Sequence, residues 1–245
     1  MPVIEKTEGI ILRKSDYGDS SSIITIYTRD FGKVSAILKG AKSSKSKCGA
    51  SGDTLNRVEI VLYKKEGRQV QTISQIDFIK HYQNIKEDLE GLKYAGAILE
   101  LISELTLEDE NNTRLYDGLA KILDLIESPD TNKKYLFAKF YLFFISELGY
   151  KIAIDHCIIC SKSLLNGSKL FFNLDNGFMC SECGRDHLYH DEFSPELFEK
   201  LICLSTSKKS VNVSSRELDT IISFLERYTS FHIDTFNGLK TLKVL

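Results

Sequence analysis

Two Cys-x-x-Cys pairs, Cys157 to Cys160 and Cys180 to Cys183, separated by 19 residues, restrict this chain more than any other feature. For both pairs to serve one ion, the segment must fold back on itself, each knuckle turning tightly enough for its two sulfurs to complete a tetrahedron. Short β-type stretches, Lys169–Asn173 and Gly177–Met179, with a turn at Asp175-Asn176-Gly177, lie between the pairs, as in a zinc ribbon. A closed four-sulfur site has no open coordination position, so one Zn²⁺ held by Cys157, Cys160, Cys180 and Cys183 is structural and not catalytic. The competing readings are four metal-free cysteines, or a site in which His156, His187 or His190 displaces one of them. Without the ion the segment is expected to have little core of its own. Of the two remaining cysteines, Cys203 lies on an apolar helical face as a packed thiol, whereas Cys48, in a basic loop, is expected to be exposed and oxidisable. The start, MPVIEKTEG, lacks a charged segment followed by a long apolar run, so the expected compartment is the cytosol, where cysteines favour metal over disulfides.

The first 80 residues alternate in the manner of β-strands. Apolar segments at 7–12, 23–28, 34–38, 56–63 and 70–76 are joined by turn-rich connections, among them Asp16, Gly18 and Asp19, and then Asp30-Phe31-Gly32-Lys33. Five short antiparallel strands predict a small closed barrel such as an OB-fold, with an open five-stranded sheet as the alternative. Residues 31–52 contain Lys33, Lys39, Lys42, Lys45 and Lys47 and no acid, and Gly40, Gly49 and Gly52 suggest a mobile, phosphate-binding loop. Residues 1–80 hold 14 Lys and Arg against 9 Asp and Glu, a net +5, and the remaining residues hold 18 against 25, a net −7. This asymmetry points to a polyanion for the first part. Arg13 and Arg29, with Tyr17, Tyr27 and Phe31 as stacking candidates, complete a possible groove for unpaired bases. Core or hairpin packing is the competing account of Tyr27 and Phe31.

From Tyr82 the periodicity becomes helical. Leu89 to Leu105 and Leu115 to Ile126 keep three- and four-residue spacing, and residues 86–127 carry 11 acids against 4 bases. Nucleic acid should avoid that surface. The segment Lys133–Leu148 is apolar nearly all round, ends at Gly149, and is expected at the centre of a bundle. At this length, with Lys139 and Glu147 inside it, it is a buried helix and not a membrane span. Ser194-Pro195-Glu196 caps a helix over 197–204, and Ser214 and Ser215 open another over 217–231. The expected fold is therefore α+β and multi-domain: a five-stranded OB-fold-like barrel (1–80), a helical bundle domain (81–149 and 193–245), and a zinc-binding insert (150–192).

The residues from Glu8 to Ser46, the helical layout interrupted by a CxxC…CxxC insert after Gly149-Tyr150, and the closing LKTLKVL resemble the RecO family of bacterial recombination mediators. The resemblance covers essentially the whole chain. It implies an OB-fold that binds single- and double-stranded DNA, a helical domain with a zinc module, and no catalytic activity. It also implies annealing of complementary strands coated by single-stranded DNA-binding protein, whose acidic tail docks on the helical domain, and assistance with RecR in loading RecA during gap repair and homologous recombination. Carried onto this chain, the DNA-contacting positions are Arg13, Lys33, Lys39, Lys42, Lys45 and Lys47, and the zinc ligands are the four cysteines named above. Such a protein would be cytoplasmic and associated with the nucleoid. The departures, Ser161 and a single Gly177 where glycines are common, bear on the ribbon geometry more than on the metal.

No P-loop glycine motif is present, so annealing would run on DNA-binding energy and not on ATP hydrolysis. An enzymatic alternative, a zinc hydrolase or deaminase, needs an open metal site and a general acid or base, for which Glu182 is the only obvious carboxylate. A second alternative is a protein-interaction adaptor that binds no DNA, in which the structural zinc ribbon and the acidic helices bind partners and the basic loop is incidental.

Overall fold

The computed structural model describes residues 3–42, 47–165, 168–206 and 212–244. They form two compact units, Met1–Lys133 with Leu239–Leu245, and Lys134–Gly238. The sequence-based division separates barrel from helices, whereas the compact units group the barrel with the first helices.

In the first unit, β1 (Val3–Tyr17), β2 (Ser21–Thr28), β3 (Gly32–Leu38), β4 (Arg57–Lys64) and β5 (Val70–Lys80) close into a barrel in the order β1-β2-β3-β5-β4, with β4 returning to β1. The alternation in β2, β3 and β4 sends Ile24, Ile26, Val34, Ala36, Leu38, Val58, Ile60 and Leu62 into one core. β3 and β5 pair in parallel, the crossover that closes an OB-type barrel and removes the open-sheet alternative. β1 extends well beyond the predicted 7–12, because its first half pairs with β4 and its second half with β2, on either side of a register shift between Ile11 and Arg13. The shift allows three successive residues, Ile10, Ile11 and Leu12, to be buried. Gly32, at φ +65°, closes the β2–β3 turn, and a Cβ there would lie 2.0 Å from the Glu110 carbonyl oxygen. Glycine is required at this position both for conformation and for space.

The segment after β3 is not simply a solvated loop. A short helix, α1 (Lys47–Ser51), packs so closely that a Cβ on Gly49 would lie 2.2 Å from the Ala41 carbonyl oxygen. Cys48 is half-buried against the barrel core and is not the exposed thiol expected from sequence. Beyond β5 come α2 (Gln83–Glu87), α3 (Leu89–Leu105) and α4 (Thr113–Ile126). Asp88 caps α3 by accepting from Gly91 N, and Asn112 caps α4 by accepting from Leu115 N, so each helix begins where a side chain satisfies a free amide.

The second unit contains most of α5 (Lys133–Glu147), followed by β6 (Leu170–Asn173), β7 (Gly177–Met179), α6 (Cys183–Asp186), β8 (Asp191–Phe193), α7 (Pro195–Thr206) and α8 (Ser215–His232). Tyr141 of α5 donates to Thr229 Oγ1 of α8 at 3.0 Å, and burial raises its phenol pKa. Ser214 and Glu217 form a reciprocal capping box at the start of α8. A last short helix, α9 (Thr241–Val244), belongs with the first unit. Among the described residues, no helix is long and apolar enough to cross a membrane.

Candidate nucleic-acid interface and metal centre

Much of the barrel's positive charge is already paired. Lys6 meets Glu59, Lys14 meets Asp53, and Arg57 meets Glu8 at 2.6 Å. Three further cations face acids of the helical segment: Arg29 to Asp117 at 3.3 Å, Lys64 to Asp109 at 2.9 Å, and Lys80 to Asp124 at 2.6 Å. The acids that give residues 86–127 their negative charge thus partly neutralise the barrel that precedes them. Arg29, expected at the DNA, is an exposed ion-pair partner.

Lys33 departs further from expectation. Its Nζ donates to the Ser103 and Thr106 carbonyl oxygens at 2.7 and 2.5 Å, closing the C-terminal end of α3, and burial lowers its pKa. A cation there satisfies carbonyls that have no helical partner and meets the negative end of the helix dipole. Its ammonium is therefore held against α3 and is not presented to solvent.

Arg13 and Lys39 are exposed and, among the described residues, make no ion pair. Lys42 folds over the β1–β2 turn: its backbone N donates to Ser20 O at 3.1 Å, and its Nζ donates to Gly18 O at 2.9 Å and lies 3.2 Å from Asp16. These contacts bring the loop after β3 alongside the turn that carries the exposed Tyr17. Lys45 lies outside the described residues, as does the side chain of Lys47, the first residue of α1. Tyr27, at 1% exposure, is core, and Phe31 packs on the barrel core with Lys64 Nζ 4.4 Å above its ring. Of the three proposed stacking residues, only Tyr17 is available. Two cations that the sequence reading did not single out, Lys65 and Arg68 in the β4–β5 loop, are also exposed and, among the described residues, make no ion pair. Their signal was the run Lys64-Lys65-Glu66-Gly67-Arg68.

In the second unit the four cysteines converge. The sulfurs of Cys157, Cys160, Cys180 and Cys183 all lie within 4.8 Å of one another, a cluster able to hold a metal ion. Backbone turns build it: Ser161 N donates to Cys157 O at 2.9 Å, and Gly184 N donates to Cys180 O at 2.9 Å. Ser161 adopts φ +58° and so occupies the left-handed position that glycine would fill more easily. Burial opposes ionisation of Cys157, but hydrogen bonds from the backbone at Cys160, Cys180 and Ile159 outweigh it and bring the thiol down to about 6. Burial and the neighbouring sulfurs push Cys183 up to about 12. Two of the three histidines are engaged elsewhere: His187 Nδ1 is 2.8 Å from Cys183 O, and His190 Nδ1 accepts from Leu174 N at 3.1 Å. Glu182 is exposed and bound to Lys162 at 2.6 Å.

The ribbon has more core than its sequence suggested. Phe178 of β7 meets Phe193 of β8 and Phe198 of α7 at ring distances of 5.0 and 4.9 Å, and Phe172 of β6 meets Phe224 of α8 at 4.9 Å. Aromatic residues distant in sequence supply this packing.

Comparison with known proteins agrees with this architecture from end to end. Residues 1–82 match the model for the Recombination protein O N terminal domain, and residues 86–242 match that for the C terminal domain. The chain is 28% identical to the DNA repair protein RecO of Pelodictyon phaeoclathratiforme, covering 99% of this chain and 98% of that one. It is 29% identical to that of Acetivibrio thermocellus over 98% and 96% of the two chains. The protein of the same name from Caldanaerobacter subterraneus is 32% identical over 73% of this chain and 70% of its own. With the barrel matched by one family model and the helical and cysteine-bearing part by the other, the chain belongs to the RecO family of DNA repair proteins.

Proposed function

We propose that this protein is a recombination mediator that binds single- and double-stranded DNA on its barrel and anneals complementary strands, including strands coated by single-stranded DNA-binding protein. The observation that carries this reading is the closed OB-type barrel with Arg13 on β1 and Lys39 at the end of β3 exposed and, among the described residues, without carboxylate partners. Lysine and arginine replace counterions on two phosphate backbones and so reduce their mutual repulsion, while the bases remain free to pair. Lys42 lies at the same turn, the sequence adds Lys45 and Lys47 as proposed contacts, and Lys33 and Arg29 contribute to the structure through α3 and Asp117. The reading includes cooperation with RecR in the indirect loading of RecA, a cytoplasmic, nucleoid-associated location, and no catalytic step. Barrel, helical domain and zinc insert act as distinct functional parts.

The four-sulfur site holds Zn²⁺ in this proposal. At a Zn–S distance of about 2.3 Å, a tetrahedron has edges of about 3.8 Å, and the Cys160 and Cys180 sulfurs stand 3.7 Å apart. The cysteines fit such an ion without rearrangement of that edge, and its role is to fix the two knuckles.

Stopped-flow annealing of two labelled complementary strands, with and without single-stranded DNA-binding protein and with no nucleotide, tests the proposal. We expect acceleration that rising salt suppresses, and the Arg13→Glu/Lys39→Glu double variant to lose at least about tenfold in DNA affinity. The charge-matched control is Lys93→Glu/Lys121→Glu on α3 and α4. Equal losses in both variants overturn the assignment of the basic rim; no DNA binding by the unmodified protein overturns the mediator reading in favour of the adaptor.

A further inference from the structure

At the end of β5, on the side of the barrel that carries α1, a buried amide organises an exposed aromatic and basic surface. Asn56 is fully buried. Its Nδ2 donates to the carbonyl oxygens of Ala50 and Ser51 at 2.8 and 3.2 Å, so its Oδ1 must face outward. That oxygen lies 2.9 Å from His81 Nδ1 and 2.6 Å from Lys86 Nζ. His81 meets the ring of Phe78 edge-on at 5.9 Å, and Phe78 is 48% exposed. Burial lowers the pKa of Lys86, whose acceptor is an amide and not a carboxylate. The nearby acids are occupied: Asp53 binds Lys14, and Glu127 accepts from the backbone N of Asn84 and Ile85 at 3.2 and 3.0 Å. Ile11, two residues before Arg13, exchanges backbone hydrogen bonds with Leu55 and Asn56 at 3.0 Å.

We infer that Phe78, His81 and Lys86 form a subsite for single-stranded nucleic acid, in which a base stacks on Phe78 and the adjoining phosphate meets Lys86 and His81. This inference rests on the DNA-binding reading above and adds to it a place where an unpaired base is held. An exposed ring offers its π-face only to a base that is free of a duplex, while the neighbouring cation provides the backbone contact. Asn56 pre-positions both polar groups from the protein interior. Duplex DNA gains nothing from the ring.

The test is fluorescence-anisotropy titration of the full-length protein with a labelled oligothymidylate and, in parallel, with a duplex of equal length. Phe78→Ala is expected to weaken single-strand binding by about fivefold to a hundredfold, the range measured for loss of one stacked base, and to leave duplex binding and the salt slope unchanged. Lys86→Gln is expected to reduce the salt slope by about one, with thermal melting confirming that the variant is folded. Crosslinking of a 5-iodouracil-substituted strand to Phe78, located by mass spectrometry, provides a readout independent of affinity. If the unmodified protein binds DNA and responds to Arg13→Glu/Lys39→Glu, while Phe78→Ala changes neither affinity nor crosslinking, the subsite is overturned and the wider reading stands. If Phe78→Ala weakens single-strand and duplex binding equally, stacking is also overturned. If the unmodified protein binds no DNA, the wider reading itself fails.

Discussion

Lys33 and Lys39 stand at opposite ends of β3, and on sequence alone both belong to one basic cluster. Their surroundings separate them. Lys33 is bound by two carbonyl oxygens at the end of α3, and Lys39 has no ion-pair partner among the described residues. Replacing Lys33 by Met should strand those carbonyls and lower stability by about 1–3 kcal/mol, the usual cost of leaving buried acceptors unpaired. DNA affinity of the folded protein should not change. Urea unfolding paired with anisotropy below the transition checks both expectations, and a loss of affinity without a loss of stability would return Lys33 to the DNA surface. The same contrast applies to the aromatics. Tyr27 and Tyr17 read alike in sequence, but the first is buried and the second reaches solvent.

At the scale of elements, the cysteine knuckles and the three-stranded sheet of β7, β6 and β8 are stabilised by different means. The knuckles hold together through four sulfurs and a few backbone bonds, whereas the sheet packs through Phe172, Phe178 and Phe193 onto aromatics of α7 and α8. Removing the metal should therefore loosen the ribbon in part. With a strong chelator, amide exchange should rise over residues 155–164 and 180–187 and remain slow in β6 and α8. Loss of protection in α8 as well would show that the aromatic packing depends on the ion. The periodic residues Leu89 to Leu105 all fall in α3, because a long amphipathic helix repeats its signal many times. The strand β1 was only partly legible: its ends, Val3 to Lys6 and Arg13 to Tyr17, do not alternate, and they are extended because β4 and β2 offer them partners.

For the molecule as a whole, the order of the chain is not the order of its contacts. After α8 the chain returns to the first unit, where Glu100 of α3 accepts from the backbone N of Lys240 at 2.8 Å and of Thr241 at 2.9 Å. These are the free amides at the start of α9, and Lys240 Nζ adds a contact to Glu104 at 3.3 Å. Glu100→Ala should destabilise the first unit by about 1–2 kcal/mol through loss of this cap. The expected sign is faster amide exchange in α3 with α8 unaffected; equal exchange in variant and parent would show that α9 contributes nothing to the first unit. Charge also follows contact. The +5 of the first 80 residues is partly matched by Asp109, Asp117 and Asp124 from beyond them, which leaves a few exposed cations in place of a uniformly basic face.

Alternation and helical periodicity located the five barrel strands, apart from the ends of β1, and the long helices, because those patterns are local consequences of burying one face of a regular element. The CxxC spacing likewise specified four converging sulfurs, since few backbone paths satisfy it. The parallel pairing of β3 with β5, the engagement of Lys33 with α3, the burial of Cys48 and the aromatic core behind the ribbon were not readable in this way. Each depends on residues far apart in the chain meeting across a packed interior, and the competition among those partners is settled only when the chain has folded.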